Sequence, residues 1–265
     1  MTTQLAAQMF TLRDHCQDAA GIAESCKKLK TMGYDAIQAS AAFFGEIAGP
    51  ELKKILDDTG MVCCATHRSW EQLQNVEAEI EFHATIGCKL AAIGGWGWSG
   101  TETEDDWKKF AAEFQALAEP YTAAGIRIGY HNHSHEWAPF GLADHPDKID
   151  PTRTPMQLLA EQLSDPTFFE IDTYWVAHGG GDPAHWLRKL KGRIPGIHLK
   201  DMTITPKREH KMCEVGAGNL NWPAILEAAK EAGVEWYIVE RDRGDLDPFE
   251  SLRVSLENCK SWGLA

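Results

Sequence analysis

The chain has 265 residues, and 39 Asp and Glu against 26 Lys and Arg give a formal net charge of −13. This negative excess repels polyanions, so we expect no nucleic-acid partner. The seven cysteines are scattered without a CxxC pair, which argues against a disulfide framework and a thiolate zinc site and favours a reducing cytoplasm. No segment approaches the ~18 consecutive apolar residues of a membrane span, so we expect no membrane partner either.

Short apolar runs alternate with longer helical patterns along the whole chain. The apolar runs predict eight strands, at residues 5–12, 35–40, 61–67, 90–96, 126–133, 167–175, 194–202 and 234–242. Each is followed by a predicted helix, at residues 19–33, 50–60, 76–89, 104–125, 155–163, 182–193, 221–233 and 247–263. Strands joined by crossover helices run parallel, so the sequence predicts an α/β fold, a single (β/α)8 TIM barrel domain over residues 1–265.

A doubly wound open sheet is the alternative architecture. It would normally carry a glycine-rich dinucleotide loop after its first strand, and TLRDHCQD stands there instead. The polar segment 141–155 is interpreted as an active-site loop rather than a domain boundary, because strand and helix patterns resume directly after it.

Polar residues stand at the ends of several predicted strands, where the loops of a TIM barrel converge on the active site. They are Arg13, His67, His131, His133, Glu136, Asp172, His198, Lys200, Asp201 and Glu240. Asp172, His198 and Glu240 interrupt apolar strands, and buried charges are costly unless they are paired or bind a cation. Carboxylates combined with imidazole suit Mn²⁺, Co²⁺, Mg²⁺ or Zn²⁺, which predicts one divalent cation. Separate structural ion pairs are the alternative interpretation.

Five segments resemble the xylose isomerase-like TIM barrels, in particular the sugar phosphate isomerase/epimerase group related to inosose dehydratase and the ketose 3-epimerases. These segments are GYHNHSHEW, EIDTYWVAHGGGDP, GIHLKDM, EVGAGNLNW and YIVERD. The resemblance implies a metal-dependent isomerase or epimerase, or a related lyase or dehydratase. The implied substrate is a keto-sugar, an inositol-like ring or a 3-keto-glycoside. The implied metal ligands are Glu136, Asp172, His198 and Glu240.

The first of these ligands stays open between Glu136 and His131. In the ketose epimerases the corresponding glutamate lies on the strand itself, where this chain has Tyr130 or His131. Glu136 would therefore have to return from the following loop. From strand alternation we expect that at most one of His131 and His133 faces the barrel mouth.

The reactions of this group begin with removal of a proton from a carbon next to a carbonyl, which gives a metal-stabilised enediolate. We expect proton transfer by His133, Glu240 or His131. The candidate substrate-binding residues are His67, His178, Lys200, Arg13 and Trp175. A salt bridge from Lys200 to Asp201 or Glu214 is the alternative for that lysine. Tryptophans near strand ends, Trp96 and Trp98 among them, suit the apolar face of a sugar ring or an aglycone.

Other functions remain as alternatives to a carbohydrate enzyme. An endonuclease IV-like phosphodiesterase shares the fold, but the net charge argues against it. A non-catalytic sugar-binding barrel has no need of carboxylates buried together. The glycine-rich segments 179–181 and 216–219 admit a phosphate-binding interpretation, although neither continues as a P-loop. We expect a small-molecule carbohydrate as partner, and the sequence leaves open whether the barrel forms homo-oligomers.

Overall fold

The structure is a computed structural model that describes residues 4–40, 46–142 and 149–264. Eight parallel strands close into a barrel, each hydrogen-bonded to the next, and the last returns to the first. In barrel order the strands are β1 (Gln4–Gln8), β2 (Ala36–Ala39), β3 (Val62–Arg68), β4 (Leu90–Ile93), β5 (Arg127–His131), β6 (Phe168–Asp172), β7 (Gly196–Leu199) and β10 (Trp236–Val239). The predicted TIM-barrel fold is confirmed.

Helices connect consecutive barrel strands. They are α1 (Ala19–Met32), α2 (Gly49–Thr59), α3 (Trp70–Gln74), α4 (Val76–Ile86), α5 (Glu104–Ala123), α6 (Pro155–Gln162), α7 (Thr173–His178), α8 (Pro183–Lys189), α9 (Trp222–Ala232) and α10 (Pro248–Ser261). Local signals define their ends: Asp18 caps α1 by accepting a hydrogen bond from Gly21 N at 2.7 Å, and Gly33 ends it with φ of 104°. Each predicted helix is present, with ends that differ by a few residues.

Two of the predicted strands continue into helices, because their apolar runs do not stop where the strands end. Residues 9–12 belong to a 3-10 helix, Met9–His15, and residues 173–175 belong to α7. In both places the last strand residue caps the helix. Gln8 accepts a hydrogen bond from Phe10 N at 3.2 Å, and Asp172 accepts one from Trp175 N at 2.9 Å. Hydrophobic periodicity carries no information about such side-chain caps, so it places the strand end too late.

An antiparallel hairpin between β7 and α9 was absent from the predicted elements. It consists of β8 (Asp201–Ile204) and β9 (His210–Cys213). Asp201 anchors the segment that follows it: its Oδ2 accepts hydrogen bonds from Gly216 N at 2.9 Å, Gly218 N at 3.0 Å and Trp222 Nε1 at 2.7 Å. These backbone N–H groups are therefore occupied by an internal carboxylate, which removes the donors that phosphate binding at residues 216–219 would need.

The barrel interior is polar near the active end. Gln8, Gln38, Glu170 and His198 are all fully buried there. The strand register pairs His131 with Glu170 and Asp172 with His198, so the polar ends of β5, β6 and β7 lie side by side. The fold thus collects charged side chains in the region where TIM-barrel enzymes carry out chemistry.

Part of the predicted active-site loop 141–155 lies outside the described residues, at positions 143–148. Its described part borders two cavities beside α5, and none of its described residues lines the cavity at the strand ends. Within the described ranges, no helix combines the length and apolar character needed to cross a membrane.

Candidate active site and metal centre

A cavity of about 850 Å³ lies at the carboxyl ends of the barrel strands. A volume of this size suits a small-molecule ligand. Its polar and charged lining comes from several strands and the loops after them, and includes Arg13, His67, His131, His133, Lys200, Glu240, Asp242 and Arg243. The cavity therefore joins residues that are far apart in the sequence into one site.

Asp172, His198 and Glu240 form one group of potential metal ligands, which we call the outer group. One donor atom from each lies within 4.8 Å of the others, and all three side chains are buried. His198 Nδ1 is 2.6 Å from Glu240 Oε2 and 3.9 Å from Asp172 Oδ2. His131 Nε2 also lies 3.9 Å from Asp172 Oδ2, so this imidazole borders the same group.

Glu170 is the centre of a second group, the inner group, which comprises His67, His131, Glu170 and His198. Its Oε2 lies 2.5 Å from His67 Nε2, 3.1 Å from His198 Nε2 and 3.2 Å from His131 Nδ1. Three imidazoles thus converge on one buried carboxylate oxygen. The imidazole and carboxylate groups of these four side chains could also bind a metal ion.

The hydrogen bonds of His198 distinguish its two ring nitrogens. Nε2 lies 2.6 Å from Gln38 Oε1, which also accepts from Gln8 Nε2 at 2.8 Å. Because an amide oxygen only accepts, His198 Nε2 carries a proton and donates it. Nδ1 is then the nitrogen that faces the outer group. His131 is arranged in the same way, with Nδ1 toward Glu170 and Nε2 toward Asp172.

A metal-binding histidine usually donates one ring N–H to a carboxylate or an amide oxygen and binds the metal through its other ring nitrogen. The inner group therefore positions the imidazoles whose second nitrogens face the outer group. Glu170 accepts from His131 and His198, and Gln38 Nε2 donates to Glu170 Oε1 at 2.7 Å. This support fixes the orientation of both rings.

Lys200 lies among three carboxylates at the cavity wall. Its Nζ is 2.9 Å from Asp172 Oδ2, 2.9 Å from Glu240 Oε2 and 2.8 Å from Asp242 Oδ1. The alternative salt bridges to Asp201 and Glu214 are wrong: Asp201 binds backbone N–H groups, and Glu214 pairs with Arg241.

The charged side chains of the site are buried close together, and burial and neighbouring charges shift their pKa values. Burial lowers the pKa of His198, but Glu170 and Glu240 outweigh this effect and raise it to about 10. Burial raises the pKa of Glu240, yet Lys200 and His198 hold it well below its usual range. Burial, assisted by His198, lowers the pKa of His131 to about 3, so that ring is neutral. An imidazolium and an ammonium thus offset part of the negative charge of the buried carboxylates.

Glu136 does not join either group, and its proposed role as a ligand needs correction. It lies on a 3-10 helix, His135–Trp137, where Oε1 accepts from Tyr130 Oη at 2.8 Å and Oε2 from His133 N at 2.9 Å. Both carboxylate oxygens are therefore occupied in closing the loop after β5. His131, which lies on the strand itself, is the residue that borders the outer group.

His131 and His133 both line the cavity, which contradicts the expectation that at most one of them would face it. The expectation was wrong on two counts: residues two apart on a strand point to the same face, and His133 lies beyond the end of β5, where strand alternation does not apply. His133 Nδ1 is buried and has no hydrogen-bond partner among the described residues. Burial, His131 and Lys200 lower the pKa of His133 well below its usual value.

The predicted substrate-binding residues divide into two sets. His67, Lys200 and Arg13 line the cavity, and Arg13 Nη1 donates to Phe10 O at 3.0 Å. His178 does not reach it: this exposed ring packs against Tyr174 and His210. Trp175 lies behind the cavity wall, with its ring 5.2 Å from that of His133 and Lys200 Nζ 5.7 Å from its centre.

Sequence reasoning missed Glu170 and Gln38. Glu170 stands two residues before Asp172 in FFEID, so the strand period places both side chains on one face. Gln38 similarly interrupts the apolar residues of β2, AIQA. A polar residue that interrupts a buried strand was the signal, and it applied to these two positions as well.

Residues 26–262 match the sequence profile of the family described as "Xylose isomerase-like TIM barrel". The match spans most of the chain and agrees with the closed barrel. The chain belongs to the xylose isomerase-like TIM barrel family. The resemblance inferred from the five segments is therefore confirmed.

Among curated proteins, an inosose dehydratase from Geobacillus thermodenitrificans is 28% identical over 165 residues, which are 56% of this chain and 52% of that protein. The chain thus matches about half the length of this relative. Among solved structures, a sugar phosphate isomerase/epimerase from Parabacteroides distasonis has a TM-score of 0.78 and 24% identity, with 98% of this chain and 94% of that chain covered. An L-ribulose 3-epimerase has a TM-score of 0.72 and 15% identity, with 99% and 95% covered. These structural likenesses support the barrel of this family.

Proposed function

We propose that the chain is a divalent-metal-dependent enzyme that isomerises, epimerises or dehydrates a carbohydrate by removing a proton from a carbon next to a carbonyl. The observation that carries the proposal is the buried outer group, Asp172, His198 and Glu240, beside a cavity of small-molecule size. The family membership and the names of the relatives, a dehydratase and epimerases, support the same class of reaction.

His131, Asp172, His198 and Glu240 are the proposed metal ligands, with His131 in place of Glu136. Asp172 fits this role, because its Oδ1 accepts from Trp175 N, whereas its buried Oδ2 faces the ammonium of Lys200 at 2.9 Å and the rings of His131 and His198 at 3.9 Å. Two carboxylates and two imidazoles suit Mn²⁺, Co²⁺, Mg²⁺ or Zn²⁺. Bound there, the cation would stabilise negative charge that develops on a substrate oxygen.

Glu240 and His133 are the proposed proton-transfer residues. Both line the cavity, and the lowered pKa of each keeps it unprotonated near neutral pH, so each can accept a proton. His131 was a third candidate, but a ring nitrogen that binds a cation cannot also accept a proton. Lys200 keeps its charge among three carboxylates and can donate to a substrate oxygen at the cavity wall.

The two alternative functions have weaker support. A phosphodiesterase acting on DNA has to bind a polyanion, which a net charge of −13 disfavours. A purely sugar-binding barrel gives no reason to bury Glu170, Asp172 and Glu240 together, because each carboxylate is costly to desolvate.

The test is solvent-deuterium exchange with the full-length protein supplied with Mn²⁺. Ketoses, inososes and 3-keto-glycosides are incubated in D₂O, and NMR follows the proton next to the carbonyl. We expect exchange with at least one substrate class, its loss in Glu240→Gln and its retention in Glu227→Gln, whose side chain is exposed on α9. Exchange with none of these compounds would contradict the proposal.

A further inference from the structure

The cavity has an aromatic lining as well as a charged one. Phe10, Trp70, Trp96 and Trp98 all contribute to it. Its volume of about 850 Å³ lies toward the upper end of the ~300–1,000 Å³ that is typical of sites for drug-sized ligands. A single sugar ring beside the outer group would leave much of this space unfilled. The size therefore leaves room for a ligand with a second part.

Trp98 is the most exposed of the large hydrophobic residues that the structure describes, at 63%. Its neighbours contact it without covering it: the rings of His133 and His135 lie 4.7 Å and 5.0 Å away, inclined at 74° and 45°. No described ring stacks parallel on Trp98. By contrast Trp262, 36% exposed, stacks on Trp222 at 5.4 Å and 27°.

The backbone of the loop after β4 is shaped to hold Trp98 in this position. Gly95 has φ of 126°, and a Cβ there would lie 2.5 Å from the Trp98 ring. Gly97 has φ of 78°, and a Cβ there would lie 2.5 Å from Trp107. Both positions therefore require glycine, for conformation and for space. The ring of Trp98 is held against the loop and against two histidines while it remains open to solvent.

Trp98 is also close to the chemistry. The ring of His133, which Trp98 contacts, lies 5.0 Å from the ring of His131. A ligand group on Trp98 is thus separated by two ring contacts from a proposed metal ligand. A substituent attached to a sugar at the outer group can extend across this distance.

We propose that Trp98 forms a subsite for the flat apolar face of a second ring attached to the reacting sugar, so that the substrate is a glycoside rather than a free monosaccharide. The inference rests on the proposed function, which supplies the sugar. Stacking on an aromatic face contributes through buried apolar area and ring geometry. Both an aromatic aglycone and a second sugar ring offer such a face.

The test is calorimetric binding of matched glycosides to the full-length protein. Several pyranosides are each used as the methyl glycoside, the 4-nitrophenyl glycoside and a disaccharide. We expect the 4-nitrophenyl form of at least one sugar to bind about tenfold more tightly than its methyl form. The preference should disappear in Trp98→Ala, persist largely in Trp98→Phe and be unchanged in Trp262→Ala.

The disaccharide arm identifies the second ring. A disaccharide that matches the 4-nitrophenyl glycoside and depends on Trp98 supports a sugar ring there, and a weak disaccharide supports an aromatic one. Equal binding of methyl and 4-nitrophenyl glycosides, no binding of any glycoside, or a preference that survives in Trp98→Ala would overturn the subsite. A Trp98-dependent preference without proton exchange would leave the subsite standing and contradict only the proposed reaction.

Discussion

The β3–α4 region and the barrel mouth both bury charged side chains, and they differ in how the charges are balanced. The first, the β3–α4 cluster, consists of Thr66, Arg68, Glu79 and His83 and is buried between a strand and a helix. Arg68 makes two hydrogen bonds to Glu79. Both His83 nitrogens have partners at 2.7 Å, Thr66 Oγ1 and Glu79 O. One positive charge meets one negative charge, and this cluster is complete without a ligand.

The second region, at the barrel mouth, is not balanced in this way. Asp172, Glu240 and Asp242 face the cation Lys200, and Glu170 faces three imidazoles. The negative charge that Lys200 leaves uncompensated requires a protonated His198 or a metal ion. Asp172 Oδ2 shares Lys200 Nζ with Glu240 and Asp242, so three carboxylates meet one ammonium. Buried charge alone therefore does not indicate a functional site. An excess of buried charge of one sign beside a cavity does indicate a functional site.

A Glu→Gln substitution should lower activity at the barrel mouth and lower stability in the β3–α4 cluster. Glu240→Gln should lower deuterium exchange on the order of 10⁴-fold, because it removes a proton acceptor and a proposed ligand. It should change the free energy of unfolding little, because Lys200 keeps Asp172 and Asp242 as partners. Exchange kinetics and chemical denaturation measure the two quantities. Full activity in Glu240→Gln would remove it from the reaction.

Glu79→Gln should act on stability. It leaves the Arg68 guanidinium buried without a carboxylate, which costs about 3–5 kcal/mol of unfolding free energy. The matched control is Glu231→Gln, which breaks an exposed pair with Arg188 and should cost less than about 1 kcal/mol. Urea denaturation compares them. Equal stability of the two variants would mean that the β3–α4 cluster does not depend on its ion pair.

Glu170→Gln tests the support of the two histidines. Loss of this carboxylate should weaken metal affinity about 10–100-fold, the usual effect of removing a partner of metal-bound histidines. Glu136→Gln should leave the affinity near the wild-type value, since Glu136 binds Tyr130 and His133 N. Competitive titration with a chelating dye measures both. The reverse ranking would restore Glu136 as the ligand.

Metal affinity should also depend on pH. The carboxylates Glu170 and Glu240 outweigh burial and raise the pKa of His198 to about 10, so below that pH a cation must displace the proton on Nδ1. Apparent affinity should therefore increase by up to about tenfold per pH unit from neutral pH toward pH 10. Calorimetry in buffers of different ionisation enthalpy counts the released proton. An affinity that is constant above pH 7 would show that His198 is already neutral.

The sequence predicted the barrel well because alternating strand and helix patterns are local and repeat eight times. It failed where one side chain changes the backbone locally, as Gln8 and Asp172 do when they cap helices. Within the site, Asp172, His198 and Glu240 were found as charges in apolar strands. The arrangement of Glu136, His131 and Glu170 depends on how the loop after β5 closes and on strand register, which spacing alone does not specify.

We expect the surplus negative charge at the barrel mouth to bind one cation, and elemental analysis of the purified protein tests this binding most directly. The metal content of wild-type protein is compared with Asp172→Asn and with Asp182→Asn, whose side chain caps α8 away from the cavity. We predict about one equivalent of Mn, Co, Mg or Zn in the wild type and in Asp182→Asn, and almost none in Asp172→Asn. No metal in the wild type, three zinc ions, or equal metal in Asp172→Asn would contradict the account.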